Sequence, residues 1–421
     1  METKFHALLD DLLAEVTRRE PSYLARFGVV LPEIDSLFGD ARDGAPLAAV
    51  SRPDLAGALM SAIRHIERRG VSVDRGDGDP LGSVMTAGIF DCFAAACDLA
   101  PLALAGPAPS DPTDILTAGY DGRRTHDGVR YFVRRSGNRP LLLINACGIP
   151  LRLWSRFLGD ESHDFRIFAV ESRAQNALEG GILQPCDLAS DADDILEALE
   201  QESATHIDLL AWCDGGKLAI ELVRRSPDRF RKLTLVSASL RGTAKLALPP
   251  TAYESNFEKV ILTIAERPAL APMFAKMLGE QIVPTDWEGL AGNARARADA
   301  LLRLPAKEHQ TAVRVTVSRD LFLINHAKRM RSDAAYPVDD GIAALALPLM
   351  LITGDYDHIA NNTIACAALS GSGTGRIHAQ ISGAGHYCFD LQYPYFKLLM
   401  NAFLIDGVLP RSTARLRIEA L

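Results

Sequence analysis

The sequence of 421 residues contains no long uncharged apolar run, no internal repeat and no low-complexity tract. Its most apolar stretch, Val84 to Ala105, is interrupted by Asp91, Asp98 and Pro101, so it predicts a buried helix and excludes a membrane span there. The opening residues Met1-Glu2-Thr3-Lys4-Phe5 lack the basic region and apolar core of a secretory signal. Cysteine is sparse. The seven (Cys92, Cys97, Cys147, Cys186, Cys213, Cys366 and Cys388) are odd in number and nowhere spaced as C-x-x-C, which argues against a disulfide framework and against a metal site. A reducing, cytoplasmic setting is the expectation. Positive charge is also short, with 45 Lys and Arg against 53 Asp and Glu. The net charge of -8 argues against nonspecific nucleic-acid binding. What is present, 48% hydrophobic residues, suffices for one large core and a smaller second unit.

Residues 1–114 predict helices. Phe5, Leu8, Leu9, Leu12 and Val16 make one apolar stripe, a second helix runs from Pro53 to Arg69, and a third from Val84 to Leu99. This region carries no catalytic constellation, so a helical cap or a homodimer surface is its expected role. Gly106 to Pro112 predicts a linker. From Gly119 the pattern changes to strands alternating with helices, which predicts a largely parallel sheet. The expected strands are Val129–Val133, Leu141–Asn145, Ile167–Glu171, a run ending at Trp212, Leu233–Ser237, Leu347–Thr353 and Arg376–Ile381, the last closing the sheet. A strandless stretch from Ala247 to Pro337 predicts a helical lid. The expected divisions are therefore 1–114, 115–246, 247–337 and 338–421.

Ile207-Asp208-Leu209-Leu210-Ala211-Trp212-Cys213-Asp214-Gly215-Gly216 organises the rest. An apolar strand breaks at Cys213, meets two glycines and continues as a helical stripe. This small-x-nucleophile-x-small pattern is the strand-to-helix elbow of α/β-hydrolases, with cysteine in place of serine. Ala211 and Gly215 are small because the turn is crowded on both sides. The helix N-terminus is expected to favour a thiolate and to let the Asp214 amide hold an oxyanion. A plain buried cysteine in a βα turn is the competing reading. Ala146-Cys147-Gly148-Ile149-Pro150 follows an earlier strand where the second oxyanion amide of this fold lies. Cys147 is the donor by position, with an ordinary turn as the alternative.

Two further turns complete a mechanism. Gly354-Asp355-Tyr356-Asp357-His358 follows one predicted strand, and Ser382-Gly383-Ala384-Gly385-His386 follows the last. Nucleophile, acid, histidine is the chain order of α/β-hydrolases. His386 would take the thiol proton and Asp357 would orient it; Asp355 and His358 are the rivals.

With these residues in hand, the chain resembles the cysteine-nucleophile aminoacyltransferases of nonribosomal peptide assembly, the syringomycin and coronamic acid shuttle type. The resemblance covers the motifs between residues 119 and 405 and implies an α/β-hydrolase fold, Cys213 as the acylated nucleophile, and Asp357 and His386 as its partners. It further implies acyl-loaded and acceptor carrier proteins as partners. They supply the phosphopantetheine arm, and no cofactor or metal is bound by the chain itself. Thiol-to-cysteine-to-thiol transfer exchanges one thioester for another, so no intermediate is a deep well, whereas serine would form a lower-energy oxyester. A cysteine thioesterase, a polyhydroxyalkanoate-synthase-like acyltransferase and a noncatalytic binding protein on a hydrolase scaffold are the alternatives. Carrier docking is expected at the lid, where Arg295, Arg297, Lys328 and Arg329 belong to a run of basic residues between Asn293 and Arg331. A solvated helical face is the bland alternative.

Overall fold

The computed structural model describes residues 2–19, 29–30, 64–69, 73–74, 116, 119–175, 184–242, 248–281, 315–355, 357, 359–370, 375–381, 384–413 and 416–421. The chain divides into two compact units, residues 1–108 with 285–304, and residues 109–284 with 305–421.

In the first unit, α1 (Glu2–Arg19) covers the segment of the predicted N-terminal stripe and buries Leu9, a member of that stripe, and Leu13. Residues 64–68 are helical, and Ile66 is buried. Asp10 ties the two together, accepting from His65 Nε2 at 2.8 Å and Arg69 Nη2 at 2.6 Å. Val29–Val30 and Val73–Asp74 pair in parallel. The predicted helix from Val84 to Leu99 and the linker lie outside the described residues.

The second unit is built on one sheet of nine strands: β1 (Tyr120–Arg124), β2 (Arg130–Arg134), β3 (Arg139–Ile144), β4 (Phe165–Val170), β5 (Ile207–Trp212), β6 (Phe230–Val236), β7 (Leu349–Gly354), β8 (Arg376–Ile381) and β9 (Leu416–Ala420). Their spatial order is β1-β2-β4-β3-β5-β6-β7-β8-β9. Pairing is parallel from β4 through β8 and antiparallel for β1 with β2, β2 with β4, and β8 with β9. This order, with its inversion at β3 and β4 and its antiparallel second strand, is that of the α/β-hydrolase fold. Strand β8 does not close the sheet, as the sequence had suggested. β9 pairs beyond it, from a polar Leu-Arg-Ile-Glu-Ala segment whose alternation suits a half-covered edge.

The central strands are buried on both faces, which is why they read as continuous apolar runs. On one face α2 (Leu188–Gln201) and α3 (Gly215–Arg225) pack with an aliphatic core. The other face is aromatic: Trp154, Phe157, Trp212, Phe389 and Phe396 pack together, with Trp154 stacked on Phe389 at 3.8 Å between centroids.

Between β6 and β7 come α4 (Ala252–Glu266), α5 (Ala271–Gln281) and α6 (Asp320–Ala334). They share a small core of their own, including Ile261, Ile264, Ala271, Leu278, Leu323 and Ala327. Helix α4 starts with a capping box: the Thr251 hydroxyl accepts from the Glu254 amide at 3.0 Å, and the Glu254 carboxylate accepts from the Thr251 amide at 2.9 Å.

Candidate active site

Strand β5 ends at Trp212, and Cys213 turns the chain with φ +56°, a left-handed conformation that is costly for a residue with a Cβ. The turn is held on three sides. The Cys213 amide donates to Val236 O at 3.0 Å, while its carbonyl accepts from Gly216 at 3.1 Å and Ser239 at 3.1 Å. Glycine is required at 215: a Cβ there would lie 2.8 Å from Asn145 O and 2.9 Å from Ile144 O. The end of β3 thus packs directly on the first turn of α3.

The structure brings His386 and Asp357 to this turn. His386 Nδ1 lies 3.0 and 3.2 Å from the two Asp357 oxygens, and both residues are buried. Donation from Nδ1 leaves Nε2 as the acceptor for a thiol proton. Asp357 is itself fixed by the amides of Ile359 and Ala360, each 2.9 Å from Oδ1. Burial pushes its pKa up, but the His386 imidazole and these hydrogen bonds outweigh it and hold the carboxyl below the usual range. The two loops meet backbone to backbone. A Cβ on Gly354 would sit 2.1 Å from Ala384 O. From below, Trp212 donates to His386 O at 3.1 Å and packs against its ring at 5.1 Å. His358 lies outside the described residues, and the Asp355 amide lies 3.4 Å from Ile381 O.

Cys213, His386, Trp212 and Tyr387 line one cavity with Ala146, Cys147, Asp214, Ser239, Tyr253, Glu254, His326 and Met330 among its other walls. Its volume is about 100 Å³. An engineered cavity of about 150 Å³ admits benzene, so this one suits a short acyl group.

The helix N-terminus does not leave a thiolate here. Burial raises the Cys213 pKa well above the ordinary thiol value, the Asp214, Asp357 and Glu254 carboxylates add to this, and the Asp214 amide opposes it only in part. A protonated thiol beside a histidine can react only if that histidine removes the proton.

In the loop after β3, the amide expected to be the second oxyanion donor is already engaged. The Cys147 amide donates to the Asp214 carboxylate, at 3.1 Å to Oδ2 and 3.3 Å to Oδ1. Its neighbours are also engaged: Ala146 N–H with Asn145 Oδ1 at 2.9 Å, and Gly148 N–H with Ser172 Oγ at 3.2 Å. In this state the Asp214 side chain occupies the donor that an oxyanion would use. Burial and the nearby Asp333 raise the Asp214 pKa to about 6, while Arg329 and the Cys147 amide pull the other way.

Arg329 is corrected as a docking residue. It is 1% exposed and lies under the site, its Nε 2.6 Å from Asp191 Oδ2 and its Nη1 3.5 Å from Asp333 Oδ1. Lys217 of α3 reaches the same Asp333 at 3.0 Å. Helix α6 is therefore riveted to α2 and α3 by buried ion pairs. Lys328, one residue earlier, is half-buried, and Arg295 and Arg297 lie outside the described residues.

Sequence reasoning passed over two residues of the cavity wall. Glu254 had a visible signal, Thr251-x-x-Glu254, but the signal announces a helix start. His326 sits in α6 amid apolar residues and gave no signal. Its ring is hydrogen-bonded to the Cys147 backbone, and Nδ1 has no partner among the described residues. Nδ1 and Phe322 fill the space over Gly148, where a Cβ would lie 2.9 Å from that nitrogen. Burial and the Arg329 charge push the His326 pKa down to about 4.

No protein-family model matches the chain, and no curated protein matches it. Among solved structures it is similar to an esterase from Exiguobacterium antarcticum (15% identity, TM-score 0.47, covering 67% of this chain and 98% of that one). It is also similar to an enol-lactonase from Burkholderia xenovorans LB400 (17%, 0.48, 68% and 99%) and a hydrolase from Pseudomonas aeruginosa PA01 (20%, 0.47, 68% and 98%). The strand order above carries the fold independently of these likenesses. Among the described residues no helix is long and apolar enough to cross a membrane, and no cluster of His, Cys, Asp and Glu could hold a metal ion.

Proposed function

We propose that the protein is an acyltransferase that carries an aminoacyl group on Cys213 as a thioester, between the phosphopantetheine thiols of two carrier proteins. The observation that supports it most is a cysteine at a φ of +56° on the elbow, sharing a cavity with a histidine whose Nδ1 is held by a buried carboxylate. In this reading His386 Nε2 takes the Cys213 proton as sulfur attacks the thioester carbonyl. The Asp214 amide steadies the oxyanion, and the same proton is delivered to the departing pantetheine thiolate. The second half runs in reverse with the acceptor thiol. Each half exchanges one thioester for another, so neither is uphill by much.

Cys213, His386 and Asp357 are the proposed catalytic residues. The Asp214 amide is the proposed oxyanion donor, with the Cys147 amide joining only when the Asp214 carboxylate releases it. The arm comes with the carriers, and no resident cofactor is needed for these steps. Docking of an acidic carrier at Arg295, Arg297 and Lys328 remains part of the proposal, without Arg329. The deciding experiment incubates the protein with a carrier bearing a radiolabelled aminoacyl group, with and without a second carrier. Label on Cys213 and then on the second carrier is the expected result. Label released to solution at the same rate without an acceptor would make the protein a thioesterase, and no label on Cys213 would reject acyl transfer.

A further inference from the structure

The insertion between β6 and β7 meets the catalytic apparatus at its first turn. Thr251 caps α4 by accepting from the Glu254 amide at 3.0 Å, which uses only a lone pair of its hydroxyl. The hydroxyl hydrogen goes outside the helix, 108 positions along the chain, to Ile359 O at 2.8 Å. That carbonyl shares a peptide plane with the Ala360 N–H, which donates to Asp357 Oδ1 at 2.9 Å. A chain of hydrogen bonds thus runs from Thr251 through one rigid peptide group to Asp357, whose Oδ2 lies 3.0 Å from His386 Nδ1. Further contacts join the same parts. Asn361 donates from Nδ2 to Pro249 O at 2.7 Å and from its amide to Glu254 Oε1 at 3.4 Å. Glu254 Oε1 also accepts from Ser239 Oγ at 3.1 Å, and the Ser239 amide donates to Cys213 O at 3.1 Å. The start of α4 therefore spans from the turn of the nucleophile to the turn of the acid.

We infer that Thr251 is a positioning residue for the catalytic acid: it holds the Ile359–Ala360 peptide so that its N–H stays aimed at Asp357, and the insertion thereby aligns the general base. The inference rests on the Cys213, His386 and Asp357 assignment above and on no choice of acyl group. A peptide whose oxygen accepts a hydrogen bond is polarised and donates more strongly from its N–H. Because the group is planar, it cannot turn without disturbing both of these bonds. The Asp357 side chain is 0% exposed, so water does not replace a donor that drifts away, and an error in this peptide reaches the imidazole. Capping alone requires none of this, since a side chain that only accepts would start α4 equally well. The same helix supplies Tyr253, Glu254 and Phe257 to the cavity wall, so the element that shapes the acyl pocket also sets the acid behind the base.

The test uses the full chain and follows alkylation of Cys213 by iodoacetamide, read by mass, a reaction that needs the thiol deprotonated by His386 whatever the substrate. Thr251→Asp keeps a capping acceptor and loses the donor; Thr251→Gly loses the donor without adding charge and is tolerated at a cap. Both should slow alkylation about tenfold, the effect of one hydrogen bond expressed at the base, and Thr251→Ser should keep the full rate. In an Asp357→Asn background the same substitutions should change the rate by less than about twofold, because their effect passes through the carboxylate. The His386 Nδ1–H proton resonance should move upfield in both variants and stay in place in Thr251→Ser. Full rate and an unmoved resonance in Thr251→Asp would leave Thr251 a cap only and overturn the inference. Equal slowing with and without the Asp357 carboxylate would overturn it too, as would slowing by Thr251→Asp with Thr251→Gly silent, which is an effect of the added charge. Should one variant not fold, the other decides through the Asp357→Asn comparison. If Asp357→Asn by itself changes neither rate nor resonance, the acid assignment fails and the inference with it, whereas acyl transfer through Cys213 is judged separately by the carrier-labelling experiment.

Discussion

The two sides of Cys213 are held in opposite ways. On the His386 side the support is aromatic: Trp212 under the imidazole, then Phe389 and Trp154 stacked behind it. On the Cys147 side it is ionic, Arg329 between Asp191 and Asp333, Lys217 on Asp333, and Asp214 on the loop amide. The difference teaches where tuning is possible. Aromatic packing has no proton to gain or lose, so this part of the imidazole's support, unlike its hydrogen bond to the Asp357 carboxylate, does not change with pH. The oxyanion loop rests on groups that titrate, so its geometry depends on charge states beneath it.

The sharpest break in that comparison is at the centre. Cys213→Ala should abolish acylation by a loaded carrier, while Cys147→Ala, which keeps its backbone amide, should retain most of it; both are read by label on the protein. Retained label on Cys213→Ala would put the nucleophile elsewhere. Next, His386→Ala should slow acylation by about two to four orders of magnitude, the usual range for a lost general base. If the rate of His386→Ala rises again with pH as hydroxide replaces the base, the aromatic side was holding a proton acceptor and nothing more.

On the ionic side the largest effect is on stability. Arg329→Met leaves Asp191 and Asp333 buried without their shared cation and should cost about 3–5 kcal/mol in denaturant unfolding. A cost under about 1 kcal/mol would make the network a surface-like ornament. The smallest effect separates the two sides by pH. The folded His326 has its pKa held down to about 4, so the fold favours the neutral ring. The unfolded chain takes up that proton near 6.5 and the native state does not, so this contribution is present above about 6.5 and is lost as pH falls toward 4. His326→Leu has nothing to titrate there. The stability advantage of the unmodified protein over His326→Leu should therefore shrink by roughly 3 kcal/mol between pH 7 and 4. Asp194, raised to about 6 chiefly by burial, acts in the other direction, but it is present in both proteins and cancels in the difference.

What the sequence made legible follows the same division. That Cys213, Asp357 and His386 come together was legible because an elbow and two glycine turns impose residue types at fixed offsets, whatever surrounds them. The strands from Arg130 to Ile381 were legible because burial on both faces leaves uninterrupted apolar runs. Strands β1 and β9 were missed because edge strands alternate and carry charge, as a loop does. Arg329 was misplaced for a related reason. Its partner Asp191 is 138 positions away, and a basic residue in a helix reads the same whether it faces water or a buried acid. The engagement of the Cys147 amide was invisible because it depends on where the Asp214 side chain points, which no spacing encodes.

Gly354, pressed against the carbonyl of Ala384, makes the acid-bearing turn and the histidine-bearing turn into a single mechanical part. Neither loop can drift without carrying the other, so natural variation that reshapes the cavity has little freedom there. It has far more in α4 and α6, which reach the cavity from the insertion between β6 and β7. Descendants of this sequence that acquire new substrates should do so through residues such as Tyr253, Phe257 and Met330, while the Asp357–His386 pair is inherited as one heirloom.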